Sequence, residues 1–247
     1  MPLKVIPRRD QKLNKLIKTA LPVEYKKSNK IYAINDESSV VYLVHTGHVR
    51  LTLPRAGSHP RAGSDQPDRT VAVVGPAELF GEEAISLDIP RRYTAVAGSS
   101  CTLLPLSGMG VFNALRGSPK TLSTFFSMWD ADLVSARRVA GLSGSSSKAR
   151  IADVIMDLAR RLGTEEGRKI RLEHWFTHQE LADLAGAHRS TVTTVLNDWI
   201  YEGVLKQGSW RPGRRREWRE LIIAKPGILR KAGLEVSRRR RRKRSTR

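Results

Sequence analysis

The chain has 247 residues, 40% of them hydrophobic and 28% charged, with a formal net charge of +20 and a single cysteine. That length allows one large domain or two smaller ones, each able to bury its own core. No run of about eighteen apolar residues is present, which excludes a membrane-spanning helix, and the lone Cys101 excludes an internal disulfide and an iron–sulfur cluster held by this chain alone.

The opening MPLKVIPRRDQKLNKL lacks the apolar segment and small-residue cleavage site of a signal peptide, so the cytoplasm is the expected compartment. Residues 1–20 read as a basic helical lead-in that packs Leu13, Leu16, Ile17 and Ala20 on the domain that follows. From Pro22 to Leu106 the pattern becomes short strands. Val40 to Leu53 is rich in β-branched residues and is broken at Thr46-Gly47, which suggests a hairpin. Residues 55–68 are polar, with a repeated Arg-Ala-Gly-Ser, and read as an exposed loop. Strand character resumes at Thr70–Val74 and Tyr93–Leu106, and many short strands separated by turns imply an antiparallel barrel or roll.

Pro119 opens a helix in which Leu122, Phe126, Trp129, Leu133, Ala136 and Ala140 recur at alternating steps of four and three. This is the pattern of a coiled-coil seam between two copies, with Phe125 and Met128 turned to the roll. Residues 141–147, rich in Gly and Ser, read as a hinge. Lys148–Leu162 is a second amphipathic helix with Ile151, Ile155, Leu158 and Leu162 inward, and Lys169–Leu172 a short strand.

The stretch Thr177–Trp199, THQELADLAGAHRSTVTTVLNDW, carries the clearest chemistry. Ala182, Gly186 and Val192 fall where a helix-turn-helix needs a small residue, a turn glycine and a buried apolar residue. Thr177-His-Gln-Glu180 is a capping box. Val192, Val195, Leu196 and Trp199 form the inner stripe of the second helix, and its outer face presents Arg189, Ser190, Thr193, Thr194 and Asn197. An arginine at the start of such a helix can grip a guanine edge through two hydrogen bonds, while threonines suit phosphates and thymine methyls. The predicted DNA-binding set is Thr177, His178, Gln179, His188, Arg189, Ser190, Thr191, Thr193, Thr194 and Asn197. Beyond it, residues 203–223 read as the wing of a winged helix, with Arg211, Arg214, Arg215 and Arg216 at the tip to meet phosphate or the minor groove. Residues 237–247 hold eight basic residues in eleven and no apolar one, a disordered tail that should raise non-specific DNA affinity. The charge follows the chemistry: residues 148–247 hold 25 Lys/Arg against 12 Asp/Glu, and residues 1–147 hold 19 against 12.

With VYLVHTGHVRL, FGEEA at 80–84, the long helix and the helix-turn-helix, the chain resembles the cyclic-AMP receptor/FNR family of bacterial transcription regulators over about residues 23–235. The resemblance implies an α+β fold: an N-terminal antiparallel β-roll like the cyclic-nucleotide-binding domain (1–118), a dimerisation helix and hinge (119–147), and a winged helix-turn-helix domain (148–236) before the tail. The family usually carries extra glycines before the first hairpin, whereas residues 25–39 here have none. In nucleotide-binding relatives a Gly-Glu pair opens a short helix and an Arg-Ser pair some ten residues on holds the phosphate. Gly81 and Glu82 match the opening and Arg92 the arginine, but Tyr93 stands at the serine position, which argues against cAMP. Segment 91–97 is closer to relatives that bind 2-oxoglutarate, although Ala131 and Ala136 stand where those carry an arginine and a glutamate.

The effector candidates are therefore Gly81, Glu82, Glu83, Arg91, Arg92, Tyr93, Thr94 and Ser135, with the effector itself unknown. An internal ion pair of Glu82 with Arg92 is an equal alternative. The resemblance also implies RNA polymerase as a partner. On the recognition helix, Ser190 and Thr194 replace the family's usual glutamate and second arginine, which implies sparse base readout. The leading reading is a homodimeric, sequence-specific transcription regulator on the bacterial nucleoid; the alternative is an effector-independent architectural DNA-binding protein. An enzyme is not expected, since Cys101 has no nearby base and His45, His48 and His59 lack metal-ligand spacing.

Overall fold

The computed structural model describes residues 11–55, 68–86, 89–120, 122–123, 125–126, 146–172, 176–208 and 220–233. The chain divides into two compact units, Met1–Val134 and Ser135–Arg247.

The first unit opens with α1 (Gln11–Thr19), followed by β1 (Val23–Tyr25), β2 (Lys30–Tyr32), β3 (Val40–Thr46), β4 (Val49–Leu53), β5 (Arg69–Val74) and β6 (Leu79–Phe80). A 3-10 turn at Glu82–Ile85 leads to β7 (Thr94–Ala97), β8 (Cys101–Ser107) and α2 (Gly108–Arg116). The strands form two antiparallel four-stranded sheets, in the orders β1-β8-β3-β6 and β2-β7-β4-β5. This is the expected antiparallel roll.

Period-two alternation explains the layering. On β3 and β8, Val41, Leu43, Leu104 and Leu106 face α1 and α2, joined there by Leu13, Ile17, Val111, Leu115 and Phe125. The alternate residues, Val44, Cys101 and Leu103, face the roll interior with Tyr32, Val49, Val74, Phe80, Ala95 and Ala97. Both faces of this sheet are buried, so its strands read as nearly unbroken apolar runs. The lead-in helix packs as its pattern predicted, with Leu16 and Ala20 at the edge of the first cluster.

One expectation changes. Thr46-Gly47 does not close a hairpin. β3 pairs with β6 and β8, whereas β4 pairs with β5 and β7, so the chain crosses from one sheet to the other at that corner. The glycine-free segment 25–39 makes its turns with Ser28 and Asn35, both at positive φ (72° and 70°), in the left-handed conformation that glycines usually supply. Asp36 Oδ2 accepts the Ala33 N–H at 2.8 Å within the second of these turns.

The second unit comprises α3 (Ser147–Leu162), β9 (Thr164–Glu166), β10 (Lys169–Leu172), α4 (His178–Ala185), α5 (Arg189–Tyr201), β11 (Leu205–Gln207) and β12 (Leu221–Ile223), then a helix over residues 226–233. Ser146, expected within the hinge, caps α3 by accepting the Ala149 N–H, and Ser147 is already helical. The sheet order is β11-β12-β10-β9, all antiparallel. β11 and β12 pair through Leu205↔Ile223 and Gln207↔Leu221, which gives the two strands expected of a wing. Ile151, Ile155 and Leu158 are buried as predicted and Leu162 is half-buried.

Candidate nucleic-acid interface and effector site

The helix pair α4–α5 is anchored at each joint. Thr177 accepts the Glu180 N–H at 3.1 Å while Glu180 accepts the Thr177 N–H at 2.6 Å, completing the predicted capping box. Gly186 ends α4 with φ 57°, and the Ala187 N–H returns to the Ala182 carbonyl at 2.9 Å, a Schellman closure. Ala182, Val192, Val195, Leu196 and Trp199 are buried, so the inner stripe is as the spacing predicted.

One clamp is not visible in the sequence. Arg150 of α3 donates from Nε to the Ala185 carbonyl at 2.8 Å and from Nη2 to that of Gly186 at 3.0 Å. A cation thereby satisfies the C-terminal carbonyls of α4, where the helix dipole favours it. No local pattern marks an arginine thirty-five residues upstream as part of the turn.

The outer face of α5 divides by what its groups still have to offer. Arg189, the first residue of α5, is exposed and its side chain makes no hydrogen bond or ion pair among the described residues. Its neighbour His188 is the N-cap but provides no side-chain cap, so the first-turn N–H groups stay open. The Thr193 hydroxyl donates to the Arg189 carbonyl at 3.0 Å, and that of Thr194 to the Ser190 carbonyl at 3.2 Å. Each threonine has thus spent its one proton inside the helix and keeps its methyl and lone pairs. His178 Nδ1 lies 2.8 Å from Thr193 Oγ1, and with the threonine proton given to Arg189 the imidazole Nδ1–H is the donor. Burial, and then the nearby Arg189 charge, hold the His178 pKa below its ordinary value. Gln179 is half-buried and tied to Asp183 at 2.9 Å, Thr191 is half-buried, and Ser190 and Asn197 are exposed. The wing-tip arginines Arg211, Arg214, Arg215 and Arg216 lie outside the described residues.

In the roll, Gly81 opens the 3-10 turn as predicted, with φ 77°. The arginine that enters the site is Arg91, one residue before the expected Arg92. Arg91 donates from Nη1 to the Gly81 carbonyl at 2.9 Å and from Nη2 to the Val40 carbonyl at 2.6 Å. Its guanidinium lies over the Tyr32 ring, 4.2 Å from the centroid, and 3.6 Å from Glu83 Oε2. A side chain at Gly81 would place its Cβ 2.5 Å from Arg91 Nη1, so close approach as well as φ selects glycine. The ion pair that forms is therefore Glu83–Arg91, displaced by one residue at each end from the pair the sequence suggested. The backbone before β7 explains the shift: the Arg91 N–H donates to the Asp36 carbonyl at 2.9 Å and the Arg91 carbonyl accepts the Asn35 N–H at 2.8 Å, which seats residue 91 against the turn at Asn35–Asp36. Arg91 is thereby buried, and Arg92 is exposed, its main-chain N–H donating to Glu83 Oε1 at 3.2 Å and its charge favouring the ionised form of Glu82.

Burial raises the Glu82 carboxyl above its ordinary range. Tyr93 is half-buried. Thr94 is a structural residue whose Oγ1 accepts the Ile34 N–H at 3.1 Å. Ser135 lies outside the described residues.

On the predicted seam, Leu122 and Phe126 are 39% and 55% exposed in the single chain while Phe125 is buried in the roll's outer core. Trp129, Leu133, Ala136 and Ala140 lie outside the described residues. Burial pushes the Cys101 thiol up to about 11, which leaves it inert at neutral pH. Among the described residues no group of three His, Cys, Asp or Glu could hold a metal, and no helix is long and apolar enough to cross a membrane.

An effector-type β-roll combined with a winged helix-turn-helix defines a DNA-binding transcription regulator. Comparison with known proteins agrees: residues 22–117 match the cyclic nucleotide-binding domain and residues 149–221 the Crp-like helix-turn-helix domain. The chain is 31% identical over 189 residues to the cyclic AMP receptor protein of Thermus thermophilus, covering 74% of this chain and 79% of that one. It is 24% identical over 192 residues to a CRP-like cAMP-activated global transcriptional regulator of Mycobacterium tuberculosis, covering 77% and 82%. Among solved structures it superposes on FixK2 from Bradyrhizobium japonicum with a TM-score of 0.67 at 20% identity, over 87% of this chain and 97% of that one. The chain belongs to the cyclic-AMP receptor/FNR family of bacterial transcription regulators.

Proposed function

We propose that the chain acts as a homodimer that reads paired DNA half-sites, with Arg189 gripping a guanine in each. The observation that carries this reading is the state of Arg189: exposed, its side chain in no hydrogen bond or ion pair among the described residues, at the open first turn of α5, which follows a helix, α4, fixed by a capping box, a Schellman closure and Arg150. Thr177, His178, Gln179, His188, Ser190 and Thr191 would position the backbone, and Thr193, Thr194 and Asn197 would line the groove. The wing arginines and residues 237–247 would add phosphate contacts. The exposed Leu122 and Phe126 support a seam with a second copy, as paired half-sites about 34–36 Å apart require. RNA polymerase is the expected protein partner and the cytoplasm the expected compartment. Binding-site selection from random DNA tests the readout: Arg189→Ala should lose preference at one base pair per half-site, and an unchanged motif would overturn the assignment.

The net charge of +20 also supports a second reading, an architectural protein with little sequence preference. Deleting residues 237–247 separates the two. A regulator keeps a discrete footprint at low salt, while an architectural protein loses most of its binding.

A further inference from the structure

The roll contains an arginine at the place where an anionic effector would be held, and that arginine is already engaged. Four groups of the fold surround Arg91: the carbonyls of Gly81 and Val40, the ring of Tyr32, and the carboxylate of Glu83. Side-chain exposure is 3% for Arg91 and 5% for Glu83. The other carboxylate oxygen of Glu83 is fixed by the Arg92 N–H, so it cannot swing away without breaking the turn into β7. Tyr32 in turn packs against Tyr42 and Phe80, which closes the aromatic side of the cluster.

We propose that Glu83 is the specificity-determining residue of the roll: its carboxylate takes the place of a ligand anion on Arg91, so that the domain holds its ligand-like arrangement without an anionic effector. An incoming phosphate or carboxylate would have to displace Glu83 or bring a second anion onto one cation in a desolvated site. Glu82 adds to that barrier, since its carboxyl already resists ionisation through burial. Arg91 Nε and Glu83 Oε2 form no hydrogen bond, so the pair neutralises charge without saturating every donor and acceptor. Removal of the Glu83 charge should therefore create an anion site rather than an inert one. This inference rests on reading residues 81–94 as the effector position and is independent of how α5 reads DNA.

The test uses the full chain, wild type and Glu83→Gln, with calorimetric titration and thermal unfolding in cAMP or inorganic phosphate. The wild type is expected to give no binding heat with millimolar cAMP, no change in melting temperature, and the same affinity for a DNA fragment selected by the wild type itself. Glu83→Gln is expected to melt lower and to be restored by several degrees as cAMP or phosphate is added, since a ligand that binds only the folded state stabilises it. Wild-type binding of cAMP, or a folded Glu83→Gln chain indifferent to both anions, would overturn the proposal. If Glu83→Gln does not fold in buffer, refolding it with phosphate or cAMP present decides: recovery of the folded chain with either anion supports the proposal, and no recovery with either overturns it. Failure of the wild type to select any DNA would count against the reading of α5 and leave the roll result intact.

Discussion

Two arginines in the two units of this molecule are handled in opposite ways. Arg91 sits inside the roll with a carboxylate, two carbonyls and an aromatic ring around it. Arg189 stands at the start of α5 in solvent, its guanidinium in no hydrogen bond or ion pair among the described residues. The same guanidinium is therefore a structural cation in one unit and, in the other, an exposed group that we propose recognises DNA. Residue type sets neither role; what the surrounding fold leaves unsatisfied does.

The largest effect expected from breaking this contrast lies in the roll. Glu83→Gln leaves a buried, uncompensated guanidinium and should destabilise the first unit by about 3–5 kcal/mol, whereas replacing Glu83 and Arg91 together by leucine should cost far less. Denaturant unfolding of the three chains gives the comparison, and equal losses in the single and double variants would show that the pair is not a unit. Next comes Arg150→Ala, which frees two carbonyls at the end of α4 and should lower the stability of the second unit by about 1.5–3 kcal/mol. Its DNA affinity should fall more than its stability predicts if the clamp also sets the angle of α5. Arg189→Ala should leave the melting temperature unchanged and reduce affinity for the selected site by about 1–3 kcal/mol. A stability loss there would mean that Arg189 is as structural as Arg91.

The smallest effect is a pH dependence. The folded chain holds the His178 pKa low, so its imidazole is neutral there while the unfolded chain protonates at the ordinary value of 6.5. Below that pH the unfolded state binds more protons, and the stability of the second unit should fall as pH drops from 7 towards 5. Arg189→Ala removes one of the two causes of the depression. Proton NMR titration should then show the His178 pKa moving up, and the pH slope should flatten.

Legibility in the sequence followed the kind of force involved. The helix pair was readable because its cap, turn glycine and inner stripe are local and fall at fixed spacings. β9 was not, since Thr-Glu-Glu at 164–166 is exposed throughout and carries no apolar alternation. α2 was missed because Gly108 and Gly110 disguise its start; Ser107, which accepts the Gly110 N–H, supplies the cap. The crossing at Thr46-Gly47 looks like a hairpin because strand, turn and strand share the same local chemistry. Which sheet each strand joins depends on partners 16 to 67 residues away. Arg91 and Arg92 are adjacent and chemically identical, and the inward one is set by backbone bonds of Arg91 to Asn35 and Asp36, more than fifty residues upstream. Arg150 acts across 35 residues, beyond any spacing rule.

Thr193 and Thr194 carry one further consequence. Their hydroxyl protons close onto the carbonyls of their own helix, so what α5 can offer a duplex beside Arg189 includes two hydrocarbon groups. Such methyl groups would contact the C5 position of pyrimidines, while the hydroxyl oxygens can accept from a base edge but no longer donate to one. Enzymatic methylation of cytosine would then make a C·G pair resemble a T·A pair to this helix. Operators should tolerate 5-methylcytosine in place of thymine better than plain cytosine, and competition among the three fragments would show whether the regulator is open to an epigenetic mark.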